Sequence, residues 1–273
     1  MLKKNETRFS ISIVSHGHRS FVIALLEDLA KLHRTDIEVI LTWNQLEEET
    51  ELNQEAFDFP IISIHNSSPK GFAANHNYAF THSNGNNFVI LNPDIRMPKD
   101  PFPFLISILN CYSPCICAPL IENSFHKIED SARYFPSPFT LFQKAAEKIL
   151  HKTPNIDNVP ENQTMLNPDW IAGMFMVIPN AIYKKLSGLS ERYYLYYEDV
   201  DFCARARQAG VEIFVSKLVT VVHLAQRKSH SDKEFFQWHI KSAIKFFGSK
   251  AYINIMRRRT LNSVKRLFKT ILG

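Results

Sequence analysis

Two groups of carboxylates stand where chemistry is expected. The first is Asp94, which ends the run Val89-Ile90-Leu91-Asn92-Pro93-Asp94. An apolar, β-branched run closed by polar turn residues reads as a buried strand of a parallel sheet. Ligands of open α/β sheets bind outside the carboxyl ends of such strands, which is where Asp94 would stand. Pro93 keeps Asn92 out of the helical region and stiffens the exit. Asn92 and Asp94 offer hard oxygen atoms, the kind Mg2+ or Mn2+ takes together with phosphate oxygens. The same three residues also suit a plain strand-to-turn exit. The second group is Glu198-Asp199-Val200-Asp201, set among Tyr193, Tyr194, Tyr196, Tyr197 and Phe202. A helix dipole favours acids at its start, and capping by Glu198 or Asp199 explains one or two of them. A carboxylate against aromatic walls also gains a raised pKa and suits general-base work.

His223 follows the apolar residues Thr220-Val221-Val222. Such a His is commonly a structural polar group, but beside an Asp-bearing strand end its imidazole would complete a mixed oxygen and nitrogen metal site. Gly71-Phe72-Ala73-Ala74-Asn75-His76-Asn77 is a glycine entering a helix. Backbone N–H groups there can hold phosphate, although a bare helix start is the commoner meaning. Gly173 lies inside an apolar run and suggests close approach by a ligand or another backbone.

Elements that could position these residues follow from periodicity. Strands are expected at Phe9–Ser15, Ile37–Thr42, Ile61–His65, Val89–Leu91, Cys115–Ile121, Asp169–Pro179, Val211–Val215 and Val219–His223. Helices are expected at Phe21–Leu32, Phe72–Phe80, Pro98–Tyr112, Leu141–Leu150, Ala181–Leu186 and Asp199–Ala209, and over Lys233–Gly273. Asn44–Asn53 reads as an acidic, exposed loop. Strands alternating with helices in the first hundred residues argue for parallel βαβ units.

The chain has 273 residues, enough for a large α/β domain with no disulfide staple. Its four cysteines form no C-x-x-C pair and read as reduced, mostly buried thiols. A formal net charge of +5 suits an anionic small substrate or membrane as well as nucleic acid, and so decides little. Ile11–Val14 is too short for a signal peptide, and no run approaches the length of a membrane span. The expected place is therefore the cytoplasm.

Taken in order, these motifs carry a resemblance. Ser15-His16-Gly17-His18, Gly71 to Asn77, Leu91-Asn92-Pro93-Asp94, Trp170 to Met176, Tyr196 to Cys203 and Val221-Val222-His223 resemble family 2 glycosyltransferases. The likeness is greatest to bacterial rhamnosyltransferases of O-antigen and cell-wall synthesis, and it covers roughly residues 9–247. The resemblance implies a GT-A fold, with a Rossmann-like, mostly parallel central sheet flanked by helices and a helical C-terminal extension. It implies a nucleotide-sugar half over 1–120, an acceptor and catalytic half over 121–230, and a C-terminal segment over 231–273. It also implies an inverting sugar transfer from a nucleotide-diphosphate sugar, with Mg2+ or Mn2+ as cofactor. Carried onto this chain, Asn92 and Asp94 take the D-x-D-like position, whose aspartate holds the metal and the donor pyrophosphate. Asp199 takes the catalytic base position beside Glu198, and Asp94 and His223 the metal position. Ser15, His16, Gly71, Phe72 and Asn75 fall in donor-binding loops, and Gly173 lines the sugar pocket. The family usually has Asp-Asn after the second strand, and the Asp reads the nucleobase. Trp43-Asn44 stands there instead, and Trp43 could stack on the base.

The expected partners are a nucleotide-sugar donor, a polyprenyl-diphosphate-linked glycan acceptor and the inner face of the cytoplasmic membrane, with no nucleic acid. In the tail, Ile253, Met256, Leu261, Val264, Leu267, Phe268, Ile271 and Leu272 recur near helical spacing among Arg257, Arg258, Arg259, Lys265, Arg266 and Lys269. Such a basic amphipathic helix either lies on an anionic membrane or packs on the domain with a solvated basic face. The first reading is transfer of L-rhamnose from dTDP-L-rhamnose. The alternatives are a UDP-sugar donor on the same scaffold, a catalytically silent sugar-nucleotide or glycan-binding protein, and a nucleotidyltransferase. The last usually has a basic, Gly-rich phosphate loop after strand one, which Ser15-His16-Gly17-His18 does not resemble.

Overall fold

A strand buried on both faces must be apolar on both, and several runs in this chain are. The computed structural model describes residues 8–45, 52–138, 163–224 and 233–260. Strands β1 (Phe9–Ser15), β2 (Ile37–Trp43), β3 (Ile61–His65) and β4 (Asn87–Leu91) alternate with helices α1 (Arg19–Lys31) and α2 (Phe72–Phe80). There follow β5 (Ile95–Arg96), α3 (Phe102–Cys111), β6 (Cys115–Asn123), β7 (Ala132–Arg133), β8 (Met165–Leu166), β9 (Trp170–Ile171) and β10 (Phe175–Pro179). Helices α4 (Asn180–Lys185) and α5 (Glu198–Gln208), strand β11 (Glu212–His223) and helix α6 (Lys233–Phe247) complete the order.

The central sheet runs β3-β2-β1-β4-β10-β6-β11-β5, and β8 also pairs with β11. β3, β2, β1, β4, β6 and β11 share one direction, while β10, β5 and β8 run against them. The sheet is thus mostly parallel, as expected. Alternate side chains feed two cores. Val39, Leu41, Leu91 and Phe175 pack with Leu25 and Leu29 of α1 and Phe102 of α3. Ile40, Ile90, Met176 and Ile178 pack with Tyr183, Phe202 and Phe246 on the other face.

Three expected elements differ most, each for a local reason. Asp169–Pro179 is not one strand. It breaks at 172–174, and β9 leaves the central sheet to pair with β7. A continuous apolar run conceals such a break, because both pieces are buried. Val211–Val215 and Val219–His223 are one strand with a register shift between Ser216 and Thr220. Ser216 lies opposite Pro119, which has no N–H to continue the ladder. The helix expected from Pro98 starts at Phe102, where the Asp100 carboxylate accepts the Phe102 N–H at 2.9 Å. Asn44, expected exposed, is buried. The helix expected over Leu141–Leu150 lies outside the described residues.

The C-terminal segment packs on the domain as far as it is described. The Ser242 hydroxyl donates to the Leu195 carbonyl at 2.8 Å, and Phe246 is fully buried. Ser249 accepts the Tyr252 N–H at 3.0 Å and restarts a helical backbone over 250–260. Arg258 donates to the carbonyls of Arg207 and Gln208, and Arg259 donates to Asp169 at 2.8 Å. These two guanidinium groups face the domain. Residues 261–273 of the expected amphipathic helix lie outside the described residues.

Candidate active site

Sheet register brings the turns that carry the two carboxylate groups together. β10 runs antiparallel to β4 with Phe175 opposite Leu91. Beyond that pair, the Asn92 N–H donates to the Met174 carbonyl at 2.9 Å. The turn carrying Asp94 therefore lies beside the turn carrying Gly173. The Gly173 N–H donates in turn to Asp199 Oδ2 at 3.0 Å.

His223 comes to Asp94 through the short β5–β11 pairing, in which His223 lies opposite Ile95. The Leu224 N–H donates to the Asp94 carbonyl at 2.8 Å and locks the two together. His223 Nε2 stands 3.2 Å from Asp94 Oδ2, and Nδ1 stands 2.8 Å from Glu129 Oε2. Burial opposes charge on this imidazole, but hydrogen bonds and attraction from Asp94 and Glu129 outweigh it and push its pKa up to about 9. Asp94 Oδ1 is buried and has no hydrogen-bond partner. An orphaned carboxylate oxygen beside an imidazole suits a hard divalent cation. Among the described residues no group of three or more His, Cys, Asp and Glu side chains is arranged to hold a metal ion by itself. Mg2+ and Mn2+ fit this site, since they need only one or two protein ligands when phosphate and water supply the rest.

Asp199 sits in the first turn of α5. Tyr196 and Tyr197, just before it, both have φ of +69°, a left-handed conformation that costs side-chain-bearing residues energy. The loop holds this strain through packing of Tyr197 on Phe246 and His239. Burial pushes the Asp199 carboxyl up, and N–H donation from Gly173 and Val200 and the charge of Arg133 hold it back. The net direction is upward. Glu198 is buried, and burial with the neighbouring Asp199 charge pushes it well above the usual carboxylate range. Its Oε2 has no hydrogen-bond partner. Asp201 is structural: it accepts from Arg192 and Arg205, each at 2.8 Å, and Arg205 reaches on to the Leu186 and Gly188 carbonyls.

The residues expected in donor-binding loops collect at the carboxyl ends of β1, β2 and β3. Asn44 Nδ2 donates to the Lys70 carbonyl at 2.9 Å, and its Oδ1 accepts the Lys70 N–H at 2.8 Å. Asn66, which sequence reasoning passed over, donates to Asn44 at 2.8 Å and to Asn75 at 2.7 Å. Asn44 and Asn75 thus hold the 67–71 loop in place. The Ser15 hydroxyl accepts the His18 N–H at 3.2 Å, and His16 faces Asn44 and Gln45 through its two ring nitrogens. Trp43 is only 6% exposed and has the Arg19 guanidinium 5.4 Å from its ring centre. A base stacking on this indole would have to displace the Arg19 guanidinium. The Phe72 N–H donates to the Tyr194 carbonyl at 2.9 Å, so that amide of the α2 start is not offered to phosphate.

Gly173 is approached closely by side chains, where the sequence suggested a ligand or another backbone. A Cβ there would lie 3.2 Å from Phe72 Cζ and 3.7 Å from Asp199 Cβ. Phe72 also packs on His76, whose ring centre is 4.4 Å away. Glu129 and Arg133 are the charged residues of the site that sequence reasoning missed. Both lie in a Pro-broken stretch without periodicity, and a hairpin carries them back, the Glu129 N–H donating to the Ile121 carbonyl at 2.8 Å.

No protein-family model matches the chain. The chain is similar to the rhamnosyltransferase WbbL of Escherichia coli K12, with 24% identity over 94% of this chain and 98% of that protein. It is 23% identical to the N-acetylglucosaminyl-diphospho-decaprenol L-rhamnosyltransferase of Mycobacterium tuberculosis, over 59% of this chain and 55% of that protein. Among solved structures, it superposes on GalNAc-T7 bound to UDP, GalNAc and Mn2+ with a TM-score of 0.61 and 13% identity, over 82% of this chain and 45% of that one. A Pyrobaculum calidifontis mannosyltransferase bound to GDP-mannose and Mn2+ gives a TM-score of 0.60 at 14% identity, over 89% of this chain and 65% of that one.

Proposed function

We propose that this chain, a rhamnosyltransferase-like glycosyltransferase of the GT-A fold, moves L-rhamnose from dTDP-L-rhamnose onto a lipid-linked glycan with inversion at the anomeric carbon. One observation carries the reading. Asp94 and Asp199 are held by adjoining turns, because the Asn92 N–H donates to the Met174 carbonyl and the next residue back, Gly173, donates to Asp199.

Asp199 acts as the general base. It takes the proton of the acceptor hydroxyl as that oxygen bonds to the anomeric carbon and the bond to the donor diphosphate breaks on the opposite face. The Gly173 amide fixes the direction of the carboxylate. The raised pKa makes Asp199 a better proton acceptor than an ordinary surface Asp. Asp94 and His223 would hold Mg2+ or Mn2+, which supplies positive charge against the leaving diphosphate. Asn44, Asn66 and Asn75 keep the donor loop in shape. The acceptor reading draws on the decaprenol-linked acceptor named for the mycobacterial relative. It goes with attachment to the inner face of the cytoplasmic membrane through the exposed Phe236, Ile240 and Ile244 of α6. Among the described residues no helix is long and apolar enough to cross a membrane.

Calorimetric titration with dTDP and UDP, each with and without Mn2+, tests the donor. The expected result is metal-dependent binding that favours dTDP. A clear preference for UDP would discard rhamnose and keep sugar transfer. Transfer from dTDP-L-rhamnose to an N-acetylglucosaminyl-diphospho-lipid tests the reaction.

A further inference from the structure

Glu129 has no part in the motifs that suggest sugar transfer, yet its carboxylate faces the candidate metal position from behind. It lies on the return of the hairpin after β6. The Asn123 N–H donates to the Lys127 carbonyl at 2.9 Å, and the Ser131 N–H donates to the Glu129 carbonyl at 2.8 Å. Both bonds fix the backbone that carries Glu129. Its Oε2 stands 2.8 Å from His223 Nδ1, while Nε2 of the same ring faces Asp94 at 3.2 Å. The three side chains form a line, and each is largely covered, at 21%, 13% and 21% exposure for Glu129, His223 and Asp94.

We infer that Glu129 is a positioning residue. It accepts the proton on His223 Nδ1, so that the proton Nε2 shares with Asp94 is the one released when a cation takes that nitrogen beside Asp94 Oδ1. The inference rests on the proposed metal-dependent transfer and extends it. An imidazole has two nitrogens, and only the one without a proton can bind a metal. A carboxylate fixed against one nitrogen selects the other, orients the ring and raises its basicity. In this structure the selection is made by backbone geometry. The hairpin carries Glu129, and the β5–β11 pairing carries His223. Asp94 reaches the site from a third segment, the exit of β4. The contact of Glu129 is with His223 Nδ1, so its role is exerted through the ring.

The test is Mn2+ binding, read by electron paramagnetic resonance of free Mn2+ in the presence of dTDP, with the full chain. Wild type is measured first; a wild type that binds no Mn2+ with dTDP or UDP would remove the metal reading itself, separately from the role of Glu129. Given wild-type binding, Glu129→Ala is expected to weaken Mn2+ affinity about 10- to 100-fold, the usual effect of losing such a partner. Glu129→Gln keeps an oxygen acceptor for Nδ1 and is expected to recover most of that loss. His223→Ala sets the scale for losing the ring altogether. Unchanged Mn2+ affinity in Glu129→Ala would overturn the assignment. Equal damage from Glu129→Gln and Glu129→Ala would also overturn it, because charge at the metal and not the hydrogen bond to His223 would then be the function of Glu129. Thermal melting of each variant separates these outcomes from unfolding.

Discussion

The Gly173 amide holds the Asp199 carboxylate at 3.0 Å, and it does so from a turn where a Cβ would crowd the Phe72 ring. A Cβ at residue 173 would stand 3.2 and 3.3 Å from two atoms of the Phe72 ring. Gly173→Ala should therefore push the turn or the ring by a few tenths of an ångström and misdirect the carboxylate. A misplaced catalytic group costs up to roughly 100-fold in rate. The expected outcome is a lower kcat with donor binding retained. Adding Phe72→Leu should restore part of it. A Gly173→Ala variant of full activity would detach this amide from catalysis.

Asp199→Asn keeps the shape and removes the proposed base. Transfer is expected to fall by about 10²- to 10⁴-fold, the usual contribution of general-base catalysis. Nucleotide binding, measured by calorimetry, is expected to persist. If binding falls together with transfer, Asp199 belongs with the metal and donor instead.

The pH profile follows from the same residue. Asp199 must be unprotonated to accept a proton, and burial first of all raises its folded pKa. The acid limb of kcat/KM should therefore lie above the ordinary carboxylate range. Activity is lost as pH falls through that raised value and recovers above it. A profile flat down to the ordinary Asp range would show that another group takes the proton.

His76 makes the opposite kind of statement, about stability. It is fully buried, its Nδ1 stands 2.8 Å from the Ser12 hydroxyl, and its Nε2 has no hydrogen-bond partner. Burial pushes its pKa down to about 3. The unfolded chain therefore binds a proton that the folded chain refuses. Stability is fully present above the ordinary His pKa and falls as pH drops below it, by about 1.4 kcal/mol per pH unit. Urea unfolding of wild type and His76→Leu at several pH values should show this slope in the difference between them. Parallel pH dependences would remove His76 as its source.

Phe236, Ile240 and Ile244 lie along one exposed side of α6, at 65%, 42% and 67% exposure. Buried in a lipid interface, each large apolar side chain contributes about 1.5–3 kcal/mol. Replacing all three by Ser should weaken sedimentation with anionic phospholipid vesicles by more than about tenfold. Sedimentation unchanged by the triple replacement would end the membrane part of the proposal.

Much of the candidate site was legible in the chain. Asp94, Asp199 and Gly173 announce themselves by local signals: a carboxylate ending an apolar strand, acids starting a helix among tyrosines, a glycine inside an apolar run. Such signals depend on neighbours in sequence, and backbone propensities act at that range. His223 could be marked as a candidate, but not joined to its partners. Trp43 reads as an available aromatic ring, and only packing under Arg19 reveals it as covered.

The residue sequence by itself determined the alternation of strands and helices, the two apolar faces of the sheet and the identity of the acids at its edge. Tertiary structure alone decided what those acids face. Inserting β10 antiparallel beside β4 sets Asp199 against the Asp94 turn, and the β5–β11 pairing together with a hairpin from an unpatterned stretch closes Glu129 onto His223. Strand periodicity specifies which side of a sheet a residue occupies. It carries no information on which strand becomes its neighbour, and that choice is made by the summed burial and hydrogen bonding of the whole fold.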